Sequence, residues 1–135
     1  MHKQIFVNLP ISDMQKSQAF FKKLGYRFNP DFTNDQGACM VVGDNLYVML
    51  LVKDFFKGFT GKPVADATQT TEVLVCLSCE RRAEVDDLVA RAVAAGGSAP
   101  RAPQDHGFMY AHGFEDLDGH IWELVYMVPG DAAGA

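Results

Sequence analysis

The sequence predicts an α+β fold made of two βαβββ modules that form a curved mixed sheet. Three observations carry this. The order strand, helix, glycine stop, strands occurs twice, with starts roughly 70 residues apart, as expected of an internal repeat. The strands alternate apolar and mixed faces, which suits sheets backed by helices on one side. Near the C-terminus, Asp118-Gly119 sits between two strand-like runs and reads as a hairpin tip. With 135 residues, 48% of them hydrophobic, the chain can bury a real core. The expected organisation is a single domain, 1–128, with modules of about 1–66 and 67–128 and a mobile tail, 129–135.

Taken in order, 4–11 is the first strand, with Ile5, Val7 and Leu9 on one face and Phe6, Asn8 and Pro10 on the other. Ser12 with Gln15 reads as a capping box, and Ser17, Phe20, Phe21 and Leu24 recur at helical spacing until Gly25 stops the helix. Short strands are predicted over 26–28 and 38–42. Asp44-Asn45 turns the chain into a strand over 46–52, with Tyr47, Met49 and Leu51 on one face. The stretch from Lys53 to Pro63, carrying Phe55, Phe56 and Phe59, reads as a loop that covers a pocket, meets a partner or anchors itself on its own core.

The second module begins with a strand over 70–78 that places Glu72, Leu74, Cys76 and Ser78 on one face. A helix over 82–95 follows, with Val85, Leu88, Val89, Ala92 and Val93 as its apolar stripe and Gly96-Gly97 as its stop. Residues 100–107 read as a loop and 108–114 as a strand. The last strand puts Ile121, Glu123 and Val125 on one face and Trp122, Leu124 and Tyr126 on the other. Glu123 thus stands on a largely apolar strand, where a carboxylate needs a metal, a cation, a hydrogen-bond donor or its own proton.

Composition excludes several functions. A net charge of −5 with scattered basic residues gives no footprint for nucleic acid. No segment has the length and apolarity of a membrane span, and the start, Met1-His2-Lys3-Gln4, lacks a signal-peptide core, so a cytoplasmic protein is expected. Three cysteines suit reduced thiols. Cys76 and Cys79 have C-x-x-C spacing but lie on a strand, where they point to opposite faces and read as small core residues. Gly61-Lys62-Pro63 lacks the spacing and the hydroxyl of a phosphate loop, and neither a G-x-S-x-G elbow nor a G-x-G-x-x-G turn is present. His120 reads as a surface turn residue. His106, beside Asp105, is either oriented by that carboxylate near the site or caps its loop, and Tyr110 and His112 share a face that parity alone leaves unassigned.

Three stretches carry a resemblance that spans nearly the whole chain. They are Val7 to Tyr26 with its Ser17, Phe20, Phe21 and Leu24-Gly25, then Asp105-His106-Gly107-Phe108-Met109-Tyr110, and Asp116-Leu117-Asp118-Gly119 followed by Glu123. They resemble the vicinal oxygen chelate superfamily, which includes glyoxalase I, bleomycin-resistance proteins and extradiol dioxygenases, and in particular the bacterial group labelled predicted lactoylglutathione lyase. The resemblance implies the glyoxalase/bleomycin resistance/dihydroxybiphenyl dioxygenase fold, a small-molecule ligand held in a cup, and a homodimer. Of the four metal-ligand positions of the metal-dependent members, Glu123 matches, while Phe6, Met49 and Leu74 occupy the other three. Hydrocarbon and thioether side chains are poor donors for zinc or nickel, so no metal cofactor is expected.

Three readings follow. In the first, Glu123 is the general base of a glyoxalase-like lyase or isomerase, and Tyr110 donates a hydrogen bond to it or to the ligand. In the second, Phe6, Tyr47, Phe55 and Glu123 hold a flat or cationic compound without chemistry, with Asn8, Met49, Glu72, Leu74 and His106 completing the site. In the third, the chain is a structural dimer whose cup is filled by its own side chains.

Overall fold

The computed structural model describes residues 1–130, which divide into two compact units, the first ending at Asp66 and the second beginning at Ala67. The expected tail lies, over 131–135, outside the described residues.

The first unit runs β1 (Ile5–Ile11), α1 (Met14–Lys23), β2 (Arg27–Asn29), β3 (Gly37–Gly43), β4 (Leu46–Val52) and α2 (Lys53–Phe56). The second runs β5 (Leu74–Ser78), α3 (Arg82–Ala94), β6 (Gln104–Asp105), β7 (Met109–Glu115) and β8 (Ile121–Met127). Each has its own four-stranded mixed sheet, ordered β1-β4-β3-β2 and β5-β8-β7-β6, so the predicted βαβββ repeat is observed down to the strand order. In both, the strand before the helix pairs in parallel with the last strand, and the remaining pairs are antiparallel.

The repeat extends to the helix ends. After α1, the Gly25 N–H donates to the Lys22 carbonyl at 3.0 Å and the Tyr26 N–H to that of Phe21 at 3.1 Å. After α3, Gly96 and Gly97 make the same pair of bonds to Val93 and Ala92, at 3.2 and 2.9 Å. Both are Schellman caps, which require positive φ at the first glycine, and Gly25 and Gly96 adopt φ of 100° and 110°. At its start α1 departs from expectation, because the cap is Asp13, whose Oδ1 accepts from the Lys16 N–H at 3.0 Å, and not Ser12.

Helix-side residues fill both cores. In the first unit Leu9, Ile11, Met40, Val48 and Leu50 are buried together with Phe20, Phe21 and Leu24 of α1 and its flank. In the second, Val75, Phe114, Trp122 and Leu124 are buried with Val85, Val89 and Ala92 of α3. Val93, expected in that stripe, is exposed.

Other differences have local causes. Residues 53–59, expected as loop, form α2 and a turn of 3-10 helix over Lys57–Phe59. Pro30–Phe32 form another such turn, started by Asn29, whose side chain accepts from the Asp31 N–H at 3.0 Å. β5 begins at Leu74 and not at Thr70, because among the described residues its one ladder partner is β8, whose first residue, Ile121, pairs with Leu74. Gln104–Asp105, expected as loop, pair with β7.

The hairpin tip rests on Asp116. Its Oδ1 accepts from the backbone N–H groups of Asp118 at 2.9 Å and His120 at 3.0 Å, and its Oδ2 from Trp122 Nε1 at 2.9 Å. Asp116 and His120 are both buried, so His120 is not the surface residue expected. Burial pushes the Asp116 carboxyl up from the ordinary range, against the pull of His120 and of the three donors.

Candidate functional site

In each unit one sheet face is turned to the helix and the other is only partly covered; in the first unit Phe6 and Asn8 on it are exposed, while Cys39 and Leu51 are buried. On the open face of the first unit, β1 contributes Phe6, Asn8 and Pro10 and β4 contributes Tyr47, Met49 and Leu51, because directly paired residues share a face. Phe6 and Tyr47 are register partners and stack with ring centroids 4.9 Å apart and 14° between planes. Phe6 is 48% exposed even so. Beside the stack lies a hollow of about 430 Å³ lined by Phe6, Asn8, Asn29, Phe32, Tyr47 and Met49. Among its lining residues, Asn8 Nδ2 donates to the Phe6 carbonyl at 3.3 Å. Phe55 sits on α2, edge to face with Phe59 at 5.4 Å.

On the open face of the second unit, β8 presents Ile121, Glu123 and Val125, β5 presents Leu74, Cys76 and Ser78, and β7 presents Ala111, Gly113 and Glu115. Glu123 is half-buried, with Gly113 as its partner on one side and Cys76 on the other. Its carboxylate leans over Gly113: a Cβ built there would lie 3.0 Å from Oε2. Among the described residues no hydrogen bond or ion pair engages the Glu123 side chain. The carboxylate borders a hollow of about 120 Å³ lined by Arg101, Gln104, Ala111, Gly113, Ile121 and Glu123. Cys76 is exposed rather than core-filling, whereas Cys79 is buried as expected. Partial desolvation against its neighbours, then the Glu123 charge, push the Cys76 thiol up.

The expected site residues therefore separate. Phe6, Asn8, Tyr47 and Met49 come together on one face of the first unit, and Leu74 and Glu123 on one face of the second. Tyr110 does not join Glu123. It lies on the helix face of β7, 6% exposed, and its hydroxyl donates to Asp86 of α3 while the Arg82 guanidinium stacks 4.0 Å from its ring centroid. The bond to Asp86 raises the Tyr110 pKa. His112 shares that face, and its Nε2 lies 2.9 Å from the Arg101 carbonyl oxygen. Glu72 precedes β5 and is exposed, so strand parity does not place it with Leu74. His106 is exposed just after β6. The Asp105 carboxylate expected to orient it accepts instead from the Gly107 N–H at 2.9 Å and from Arg82 at 2.8 Å, which together hold its pKa low. Gly113 and the 100–104 segment, absent from the sequence-based site, are what give Glu123 its surroundings.

The residues present do not fit a resident transition metal. The first unit offers the benzyl group of Phe6 and the thioether of Met49 at the superfamily's ligand positions, and the second offers the hydrocarbon of Leu74 and one carboxylate. Cys76, paired with Glu123 on the same face, adds one thiol, which with that carboxylate is short of the donor set a transition metal takes.

Two βαβββ units with this strand order define the architecture of the vicinal oxygen chelate superfamily, and the resemblance read from the sequence holds at that level. Residues 3–43 match the family model described as bleomycin resistance protein-like N-terminal. The chain is similar to the hypothetical protein SA1046 from S. aureus, with 28% identity, a TM-score of 0.79, and 93% of this chain and 94% of that one covered. A glyoxalase-related enzyme from Fulvimarina pelagi gives 21% identity and a TM-score of 0.78 over 98% of this chain and 96% of that one. The fosfomycin resistance protein FosX from Mesorhizobium loti gives 15% and 0.68 over 95% and 94%. No curated protein matches the sequence. Among the described residues no helix is long and apolar enough to cross a membrane.

Proposed function

We propose that the protein binds a small organic cation without a resident metal, using the charge of Glu123 as anchor. The observation that carries this is the half-buried Glu123 carboxylate on an open sheet face, beside a hollow and without a partner among the described residues. A carboxylate so placed gains most from a ligand that brings its own positive charge and donors. In the first unit, taken by itself, the stacked Phe6 and Tyr47 and the hollow beside them suit a flat aromatic compound. A thermal-shift screen of amines and matched neutral compounds in EDTA, on the protein and on Glu123→Gln, tests the reading. Cationic hits should lose about 1–3 kcal/mol in the variant, less than for a fully buried pair. Hits that respond equally in both forms would remove Glu123 from the site.

A glyoxalase-like proton abstraction by Glu123 lacks the hydrogen bond expected from Tyr110, whose hydroxyl is bonded to Asp86 on the other face of the sheet. We also propose a homodimer. β1 and β5 are sheet edges that carry exposed Ile5, Phe6 and Leu74, and such edges are commonly covered by a second copy. Sedimentation showing only single chains at micromolar concentration would refute it.

A further inference from the structure

We propose that Gly113 is the positioning residue of this site: having no side chain, it lets the Glu123 carboxylate lie across β7, beside the hollow at 100–104 and away from Cys76. The inference rests on the reading of Glu123 as a ligand anchor, and adds where the charged group of the ligand is held.

Gly113 is not needed for its backbone shape. The glycines with positive φ among the described residues are Gly25, Gly96, Gly107, Gly119 and Gly130, so position 113 adopts a conformation open to any residue. What distinguishes it is space. A Cβ there would fall 2.8 Å from the Trp122 carbonyl oxygen, 3.0 Å from Glu123 Oε2 and 3.1 Å from Glu123 Cδ. In an antiparallel pair the opposed side chain would ordinarily stand in this volume. Here the carboxylate of the register partner occupies it. On the other side of Glu123 stands Cys76, its partner on β5. A methyl group at 113 meets the Trp122 carbonyl oxygen first, so the ladder itself must give locally, and it also displaces the carboxylate from β7 toward the thiol; the glycine thus leaves room for the negative charge on the β7 side of β8.

Two probes separate this from a merely structural role. The first is n-butylammonium set against neutral n-butanol, followed by the amide shifts of Gly113 and Ile121. The ammonium should bind the native protein, the alcohol should not, and Glu123→Gln should lose the difference. Gly113→Ala should weaken the ammonium about three- to tenfold, between the values of exposed and buried charge pairs, although the carboxylate is still there. Glu123→Asp, which keeps both glycine and charge but is one methylene too short to reach across β7, should weaken it similarly and covers the case in which Gly113→Ala fails to fold. The second probe is the rate of alkylation of Cys76, the exposed thiol among three cysteines, by iodoacetamide. Glu123→Gln should speed it, because the Glu123 charge raises the thiol's pKa. Gly113→Ala should slow it about two- to threefold below the thiol pKa, since a charge brought a couple of ångströms nearer disfavours the thiolate. A sheet merely loosened by the extra methyl would react faster. Native affinity in Gly113→Ala, or Cys76 alkylated there at the native rate or above, overturns the positioning role. Equal binding of ammonium and alcohol, unchanged by Glu123→Gln, would instead overturn the anchor reading, while the Cys76 rates still decide where the carboxylate lies.

Discussion

Replacing Asp116 by Ala should destabilise the protein by about 2–4 kcal/mol, and the figure follows from the bonds at the hairpin tip. The variant loses three hydrogen bonds, to the N–H groups of Asp118, His120 and Trp122 Nε1. Bonds to a charged acceptor contribute about 1.5 kcal/mol or more each, and the orphaned indole N–H alone costs about 1–3 kcal/mol. Against this, the variant no longer holds a carboxylate out of water, which returns part of the loss. For a domain of this size the net effect lowers Tm by roughly 6–12 °C. The pH dependence has a definite sign. Burial raises the folded pKa of Asp116 above its unfolded value, so the folded state holds this proton more tightly. Its contribution is then fully present below the ordinary carboxyl range and falls as pH rises through the raised value. The gap between the native protein and Asp116→Ala should shrink from mildly acidic to neutral pH. Urea unfolding of both forms across that window measures it. A gap below about 0.5 kcal/mol, within the range of ordinary surface substitutions, would refute the reasoning, as would a gap that widens with pH.

Tyr110→Phe should cost about 1–2 kcal/mol through the lost bond to the Asp86 carboxylate, which water partly replaces, and leave ligand affinity unchanged, because Tyr110 and Glu123 lie on opposite faces of the sheet. A calorimetric titration in which it weakens binding as much as Glu123→Gln would return Tyr110 to the site. Gly96→Ala should cost about 1 kcal/mol, since position 96 is held at φ 110° and the added methyl meets Leu117 at 3.4 Å; a neutral effect in denaturant unfolding would deny that this cap is strained. Addition of zinc, nickel or manganese should give no stabilisation that Glu123→Gln removes, because the superfamily positions hold Phe6, Met49 and Leu74. A metal-dependent rise in Tm confined to the form with Glu123 would contradict that.

What depended on local period was legible in the sequence. The helical stripe of Phe20, Phe21 and Leu24, both glycine stops, and the opposite faces of Glu123 and Trp122 follow from 3.6- and 2-residue repeats, and the structure places them as the repeats require. What depended on a partner strand was not. The run that holds Glu72 continues the composition of β5, but the ladder ends where β8 begins. The face of Tyr110 is set by α3 packing on β7, which parity within one strand does not specify. Asp116 stands in the quoted D-x-D-G stretch, yet its role rests on a bond to Trp122, six residues on and across the turn. Gly113 looks like any glycine until the register sets it against Glu123.

The most direct test is calorimetric titration of an amine identified by screening, in EDTA, into the native protein and into Glu123→Gln. The native protein should bind without metal, and the variant should show an affinity lower by about 1–3 kcal/mol with little change in Tm. Binding that appears only when a divalent metal is restored, or that is equal in the two forms, would contradict it.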